Sequence, residues 1–256
     1  MSELAALIFD VDGTLADTER DGHRVAFNLA FQEAGLGWDW TPELYGELLA
    51  VTGGKERIRY YLEKFNTEFQ KPGNFDAFVA GLHAAKTSFY TKLMADGAVP
   101  LRPGVERLIQ EARDAGLRLA IATTTTPENV TALLTYTLGA DSLDWFEVIG
   151  AGDIVPAKKP APDIYHYVME EMNLAPEQCI AFEDSYNGIR SSLQARLPTI
   201  ITTNGYTAED DFSGAAIVLD QMGEPDAGFT VISGEAKGHS YLNMDLVRAL
   251  HKAANV

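Results

Sequence analysis

Hydrophobic positions along the chain follow two rhythms, and the change between them divides it. Six apolar residues in a row, Leu4-Ala5-Ala6-Leu7-Ile8-Phe9, predict a short strand buried on both faces, as in a parallel sheet. After Thr14 the spacing becomes helical for about eighty residues. Phe27, Ala30, Phe31 and Ala34 share one helical face, and Gly35 is the stop. Thr41-Pro42 opens a second helix, with Thr41 as N-cap and Pro42 in the first turn. Gly53-Gly54 breaks the chain, and a third helix is predicted from Lys55 to Lys64. A long fourth helix runs from about Asn74 to Met94, with Phe75, Phe78, Val79, Leu82, Phe89 and Leu93 on one stripe. Four helices inserted directly after a buried strand predict a helical cap domain over 15–98.

Beyond Pro100-Leu101-Arg102-Pro103-Gly104, strand and helix patterns alternate. Strands are predicted at Leu117–Ala122, Phe146–Ile149, Ile180–Phe182, Thr199–Thr202 and Ile217–Leu219. Helices are predicted at Val105–Ala115, from Thr126-Pro127 to about Leu138 with Thr126 as cap, at Pro162–Met172, Asn187–Ala195 and Met244–Ala253. Repeated β-α units imply an α/β fold, a doubly wound parallel sheet with helices on both faces, built from 1–14 and 99–256. The segment 223–240, rich in Gly with scattered acids, reads as a surface segment without chemistry.

Charge narrows the partners. Acids outnumber bases 37 to 20, a formal net charge of −17 in 256 residues, which argues against nucleic acid or an anionic membrane. An anionic substrate must then be met by local bases and a metal. The single cysteine, Cys179, excludes an internal disulfide and reads as a small buried hydrophobe in a reducing cytosol. The short N-terminal apolar run lacks a basic leader, so a cytoplasmic monomer without a signal peptide is expected. No segment approaches the roughly 20 apolar residues of a membrane span.

In doubly wound sheets the site lies at the carboxyl ends of the strands, so the residues just beyond each strand carry the chemistry. The first strand delivers Asp10 and Asp12, separated only by Val11 and followed by Gly13-Thr14. Two acids ending a buried strand imply a cation or a reaction, because desolvating charge is costly. The others deliver Thr123-Thr124-Thr125-Thr126, Lys158-Lys159-Pro160 and Glu183-Asp184-Ser185. Acids hold a hard cation such as Mg²⁺, hydroxyl and ammonium groups hold phosphate oxygens, and one carboxylate is left to attack phosphorus. One lysine suffices at a phosphate; Lys159 is assigned, and Lys158 is read as a solvated loop lysine.

Asp10-Val11-Asp12-Gly13-Thr14, then Thr123, then Lys159-Pro160-Ala161-Pro162-Asp163, then Glu183-Asp184-Ser185 resemble, in order and spacing, the four motifs of the haloacid dehalogenase superfamily. The resemblance implies Asp10 as nucleophile, forming an aspartyl-phosphate, and Asp12 as general acid, then base. It implies Mg²⁺ on the Asp10 carboxylate, the Asp12 main-chain carbonyl and Asp184, with Glu183 a ligand or one shell out. Thr123 and Lys159 would bind the transferring phosphoryl group. The cap is similar to the helical type found in β-phosphoglucomutase and phosphoglycolate phosphatase.

The cap should choose the substrate. The stretch from Asp17 to Asn28 and the loop Thr52–Arg57 resemble the CbbY group, whose activity is dephosphorylation of xylulose-1,5-bisphosphate, an inhibitor of the Calvin-cycle enzyme Rubisco. That resemblance assigns Glu19, His23, Arg24, Thr52, Gly53, Gly54, Lys55 and Arg57 to a small-molecule sugar phosphate; the β-phosphoglucomutase pattern adds Lys86, and Thr124 is included beside Thr123. Gly53-Gly54 before a helix can offer backbone N–H groups to an anion, and His23, in line with Phe27 and Phe31, equally suits the edge of a cap core. The excess of cap bases suits a second phosphate. A β-phosphoglucomutase-type phosphomutase is the alternative, or a phosphoglycolate phosphatase. A cap histidine displaced by one position, and Pro127 where the mutase has asparagine, count against the mutase. Arg59 and Arg107 read as solvated.

Overall fold

The structure, a computed structural model, describes residues 3–255. Strand β1 (Ala6–Phe9) starts two residues later than the apolar run, and all four of its residues are buried. Leu7 and Phe9 face one hydrophobic core, Ala6 and Ile8 the other, which is why the run does not alternate. A π-helical turn (Glu19–His23) then leads into α1 (Arg24–Glu33), followed by α2 (Pro42–Leu48), α3 (Gly54–Lys64) and α4 (Phe75–Ala95). Thr41 and Asn74 cap α2 and α4 by accepting from the N–H groups of Leu44 and Ala77. These helices close over an aromatic core of their own. Trp40 lies fully buried, with the rings of Phe27 and Phe31 at 4.6 and 4.8 Å.

The rest of the chain continues as α5 (Val105–Asp114), β2 (Arg118–Ala122), α6 (Pro127–Leu138), β3 (Val148–Gly150) and α7 (Asp163–Glu171). It ends with β4 (Cys179–Glu183), α8 (Tyr186–Gln194), β5 (Thr199–Thr202), β6 (Ile217–Leu219), β7 (Val231–Gly234) and α9 (Met244–Ala254). The strands form one seven-stranded sheet in the order β3-β2-β1-β4-β5-β6-β7, parallel except for β7. Among the described residues no helix is long and apolar enough to cross a membrane.

Four local expectations change. β3 begins at Val148 rather than Phe146, because a 3₁₀ turn over Ala140–Trp145 takes up the preceding residues. Thr126 stands at the N-cap of α6 without capping it by its side chain; its Oγ1 is buried and unpartnered. The segment 223–240 contains β7, whose four residues are all exposed and whose backbone pairs with β6. Arg107 is no solvated base either: it bonds Glu224 at 2.8 Å and the carbonyls of Gly223 and Leu242, tying this segment to α5.

Candidate active site

The register of the three central strands builds the site. Phe9 of β1 stands opposite Ile121 of β2 and Phe182 of β4, so their successors emerge together at the carboxyl edge. Asp10, Glu183 and Asp184 are all buried there, and one oxygen from each lies within 4.8 Å of the others. Lys159 reaches in from the loop between β3 and α7, 2.7 Å from Asp10 Oδ1, 2.6 Å from Glu183 Oε1 and 2.8 Å from the Ala122 carbonyl. Tyr165 of α7 donates to the same Glu183 oxygen, while Glu183 Oε2 has no partner. Asn204, just beyond β5, donates to Asp184 Oδ2 at 2.7 Å.

Three buried carboxylates face one buried ammonium, an imbalance that a low-dielectric site does not sustain without a further cation or protons. Burial pushes Asp10 up to about 7, helped by Glu183 and Asp12 and opposed by Lys159. Burial, with Asp10 and Glu183, raises Asp184 well above the carboxylate range. Burial works against the charge on Lys159, but Asp10 and Glu183 outweigh it and raise its pKa. An all-oxygen cluster of this kind suits a hard divalent cation. The orphaned Glu183 Oε2 and the uncompensated charge both fit one.

Asp12 behaves differently although only Val11 separates it from Asp10. Its Oδ1 accepts from Thr18 at 2.6 Å and sits 2.8 Å from His23 Nε2. Lys86 of α4 lies 2.6 Å from His23 Nδ1. An ammonium only donates, so Nδ1 accepts and Nε2–H donates to Asp12. Burial alone would raise Asp12; the charge and hydrogen bond of His23, with Thr18 and Lys86, overcome it and hold Asp12 down to about 2. Burial lowers Lys86 to about 8.

Above these acids lies a cleft between cap and sheet. One cavity of about 540 Å³ is lined by the carboxylate cluster with Thr123, Thr124, Glu19 and Thr52. Another, of about 470 Å³, shares Asp12, Glu19, Arg57 and Thr124 with it, and adds Gly53, Gly54, Lys55, Lys86 and His23. Glu19 accepts from the Tyr45 hydroxyl at 2.5 Å, and that hydroxyl accepts from Arg57 at 2.6 Å. Thr52 accepts from Asn187 of α8.

Two residues read as substrate contacts already have partners. Arg24 bonds the carbonyls of Arg20 and Trp40 and lines neither cavity. Lys55 is paired with Asp153 at 2.5 Å. Lys158, expected to be solvated, bridges cap and core by pairing with Asp153 at 2.9 Å and Glu56 at 3.1 Å. Sequence reasoning missed Tyr165, Asn204, Tyr45, Asp153 and Arg102. The last reads as part of a linker, yet its buried guanidinium bonds the carbonyls of Gly13, Thr202, Thr203 and Asp220. Only the position of Arg102 between two prolines signalled a fixed turn.

The comparisons with known proteins agree with this geometry. The haloacid dehalogenase-like hydrolase family model matches residues 4–196. The plasmid-encoded CbbY of Cupriavidus necator is 45% identical over 97% of both chains. CbbY of Rhodobacter capsulatus is 51% identical over 83% of this chain and 91% of its own. A crystal structure of CbbY from Rhodobacter sphaeroides, a D10N variant in complex with xylulose-(1,5)bisphosphate, matches with a TM-score of 0.78 at 45% identity, covering 85% of this chain and 94% of that one. The chain therefore belongs to the haloacid dehalogenase-like hydrolase family, as a phosphatase of the CbbY type.

Proposed function

We propose that the chain is a Mg²⁺-dependent phosphatase that converts xylulose-1,5-bisphosphate to xylulose 5-phosphate and phosphate. The observation that carries this reading is the two-part cleft. A carboxylate cluster with a single lysine lies in one part, and Lys55, Arg57, Lys86 and Lys158 line the adjoining part. Lys55, Lys158 and Arg57 have Asp153, Glu56 and Glu19 beside them there, and a second phosphate would be a further anion for this group of bases. The bisphosphate bound by the Rhodobacter sphaeroides relative supports the same substrate.

In this reading an Asp10 oxygen attacks phosphorus, and the bond from phosphorus to the sugar oxygen breaks as Asp12 gives that oxygen a proton. Water then adds to phosphorus of the aspartyl-phosphate. Asp12 takes its proton, and Asp10 is released as a carboxylate beside inorganic phosphate. Because Asp12 is held ionised, its first proton must be supplied; His23 Nε2–H, 2.8 Å away, is positioned to pass it as the Lys86 ammonium gives a proton to Nδ1. Thr123 and Lys159 steady the transferring group. Asp10 and Asp184, with the Asp12 carbonyl and Glu183 beside them, would hold Mg²⁺, whose charge offsets that of the phosphoryl oxygens.

Magnitudes require the whole set. Accelerations of phosphate-monoester hydrolysis approach roughly 10²¹-fold, or about 29 kcal/mol. General acid–base catalysis supplies only about 3–5 kcal/mol. The nucleophile, the cation and Lys159 carry the remainder. Phosphate release from a panel of sugar phosphates with Mg²⁺ tests the reading. Rapid turnover of xylulose-1,5-bisphosphate is expected; none, beside brisk turnover of phosphoglycolate, overturns the substrate.

A further inference from the structure

The part of the cleft away from the carboxylate cluster contains an imidazole that the mechanism above does not use. His83 lies on α4 one turn before Lys86 and lines the cavity with Lys55 and Lys158. A Cβ built on Gly54 would come within 2.6 Å of both Cδ2 and Nε2 of His83, so the ring lies against the first residue of α3. Gly53 leaves that helix start without a side-chain cap, and Gly53 and Gly54 line the same cavity. A second observation comes from the opposite wall. Asn129, 1% exposed, lines the same cavity with its Oδ1 unpartnered, while its amide nitrogen is spent on Thr125 Oγ1 at 2.9 Å. A buried amide oxygen without a donor marks a place where a ligand hydroxyl supplies one, here a hydroxyl of the sugar that carries the phosphate.

We propose that His83 is a specificity-determining residue that binds the phosphate not transferred, and so favours sugar bisphosphates over sugar monophosphates. The inference rests on the reading of the chain as a bisphosphate phosphatase and names a recognition element within it. The charges around the ring explain why a histidine stands here. Lys86 faces it from its own helix, Lys55 from α3, His23 from the turn before α1, and Lys158, paired with Glu56 and Asp153, from the core. Burial, then Lys86, Lys55 and Lys158, push His83 down to about 4, so at neutral pH it adds no charge to the lysines of an empty cleft. An entering phosphate dianion reverses the local potential. The imidazole then gains a proton from solvent and becomes a charge-assisted donor only when the second phosphate is present. Bisphosphate binding is therefore linked to proton uptake at His83, and monophosphate binding is not.

Calorimetry in buffers of different ionisation enthalpy reads both affinity and proton uptake. An Asp10→Asn background with Mg²⁺ keeps the ester intact, and xylulose-1,5-bisphosphate and xylulose 5-phosphate serve as probes. Adding His83→Gln is expected to weaken the bisphosphate by about 10- to 100-fold, the loss of one hydrogen bond to a charged group. Proton uptake should fall with it, and the monophosphate should weaken far less. With Asp10 intact, the same factor should appear in KM rather than kcat. His83→Lys, which keeps a cation at the site, should recover part of the preference. Equal weakening of both ligands, unchanged proton uptake, or no recovery in His83→Lys overturns the role of His83. Failure of the unsubstituted protein to prefer the bisphosphate overturns the functional reading itself, and is seen before any His83 variant is made.

Discussion

A methyl group on Gly188 would lie 1.9 Å from Glu183 Oε2, far inside contact distance, so the missing side chain is what lets the carboxylate stay beside Asp10 and Asp184. Gly13 has φ +85°, and its Cβ would lie 2.2 Å from Asp184 Oδ2. Both glycines are thus parts of the acid cluster. Gly188→Ala should destabilise the fold by about 1–3 kcal/mol, the usual cost of overpacking, and should also weaken Mg²⁺ binding. Calorimetric titration of Mg²⁺ checks this; unchanged affinity would show that Glu183 does not need that position. Asp10→Asn should lower kcat by about 10⁴-fold or more, as removal of a covalent nucleophile does. Substantial remaining turnover would refute the aspartyl-phosphate. His23 shows what spacing alone conveys. Its place in line with Phe27 and Phe31 suited an edge of the cap core, and it does stack on Tyr90 at 4.3 Å. Both ring nitrogens are nevertheless engaged, one by Asp12 and one by Lys86.

At the scale of elements, the start of α3 and the loop after β3 hold cap and core together. Lys55 and Lys158 share Asp153, and both hold it down to about 2 by hydrogen bonds, Lys55 first. A depressed carboxylate contributes above its unfolded value near 3.8, and the contribution is lost as pH falls towards 2. At neutral pH the pairing is fully formed, and salt is what screens it. Asp153→Asn should change global stability little, since exposed ion pairs contribute about 0–1 kcal/mol. It should, however, speed amide hydrogen exchange across 50–58. Salt at ~0.5 M should do the same in the unsubstituted protein and add little in the variant. Protection that is insensitive to both would mean that packing alone holds the cap. The edge strand β7 lies at the other end of what an element reveals. Its exposed residues have no burial pattern to read, and only backbone pairing with β6 makes it a strand.

Across the whole molecule acids outnumber bases by 17, and three of those acids are buried together in one cluster. Asp10, raised to about 7, and Asp184, raised well above the carboxylate range, bind protons in the folded chain that they would release when unfolded. The folded state then holds more protons, so without metal its stability falls as pH rises from about 4 through 7. A divalent cation takes the place of those protons. With EDTA the melting temperature should therefore decline between pH 5 and 8, and the increment given by Mg²⁺ should grow over the same range. An increment independent of pH would mean that these acids do not hold the ion.

Apart from the exposed strand β7, the sequence by itself determined the order of strands and helices, the parallel sheet and the four strand-end motifs. Apolar periodicity and chain-local turns follow from neighbours in the chain, so Asp10, Asp12, Thr123, Lys159, Glu183 and Asp184 were legible. Tertiary structure decided which charges meet. Asp10 and Asp12 are two positions apart and both buried, yet burial with Glu183 raises the first to about 7, while His23 overcomes burial and holds the second to about 2. Tyr165, Asn204, Asp153 and Arg102 belong to the site only through contacts between distant segments, such as that of Arg102 with the Thr203 carbonyl. Burial and Coulomb interaction depend on distance in space, and residue order fixes that distance only after the chain has folded.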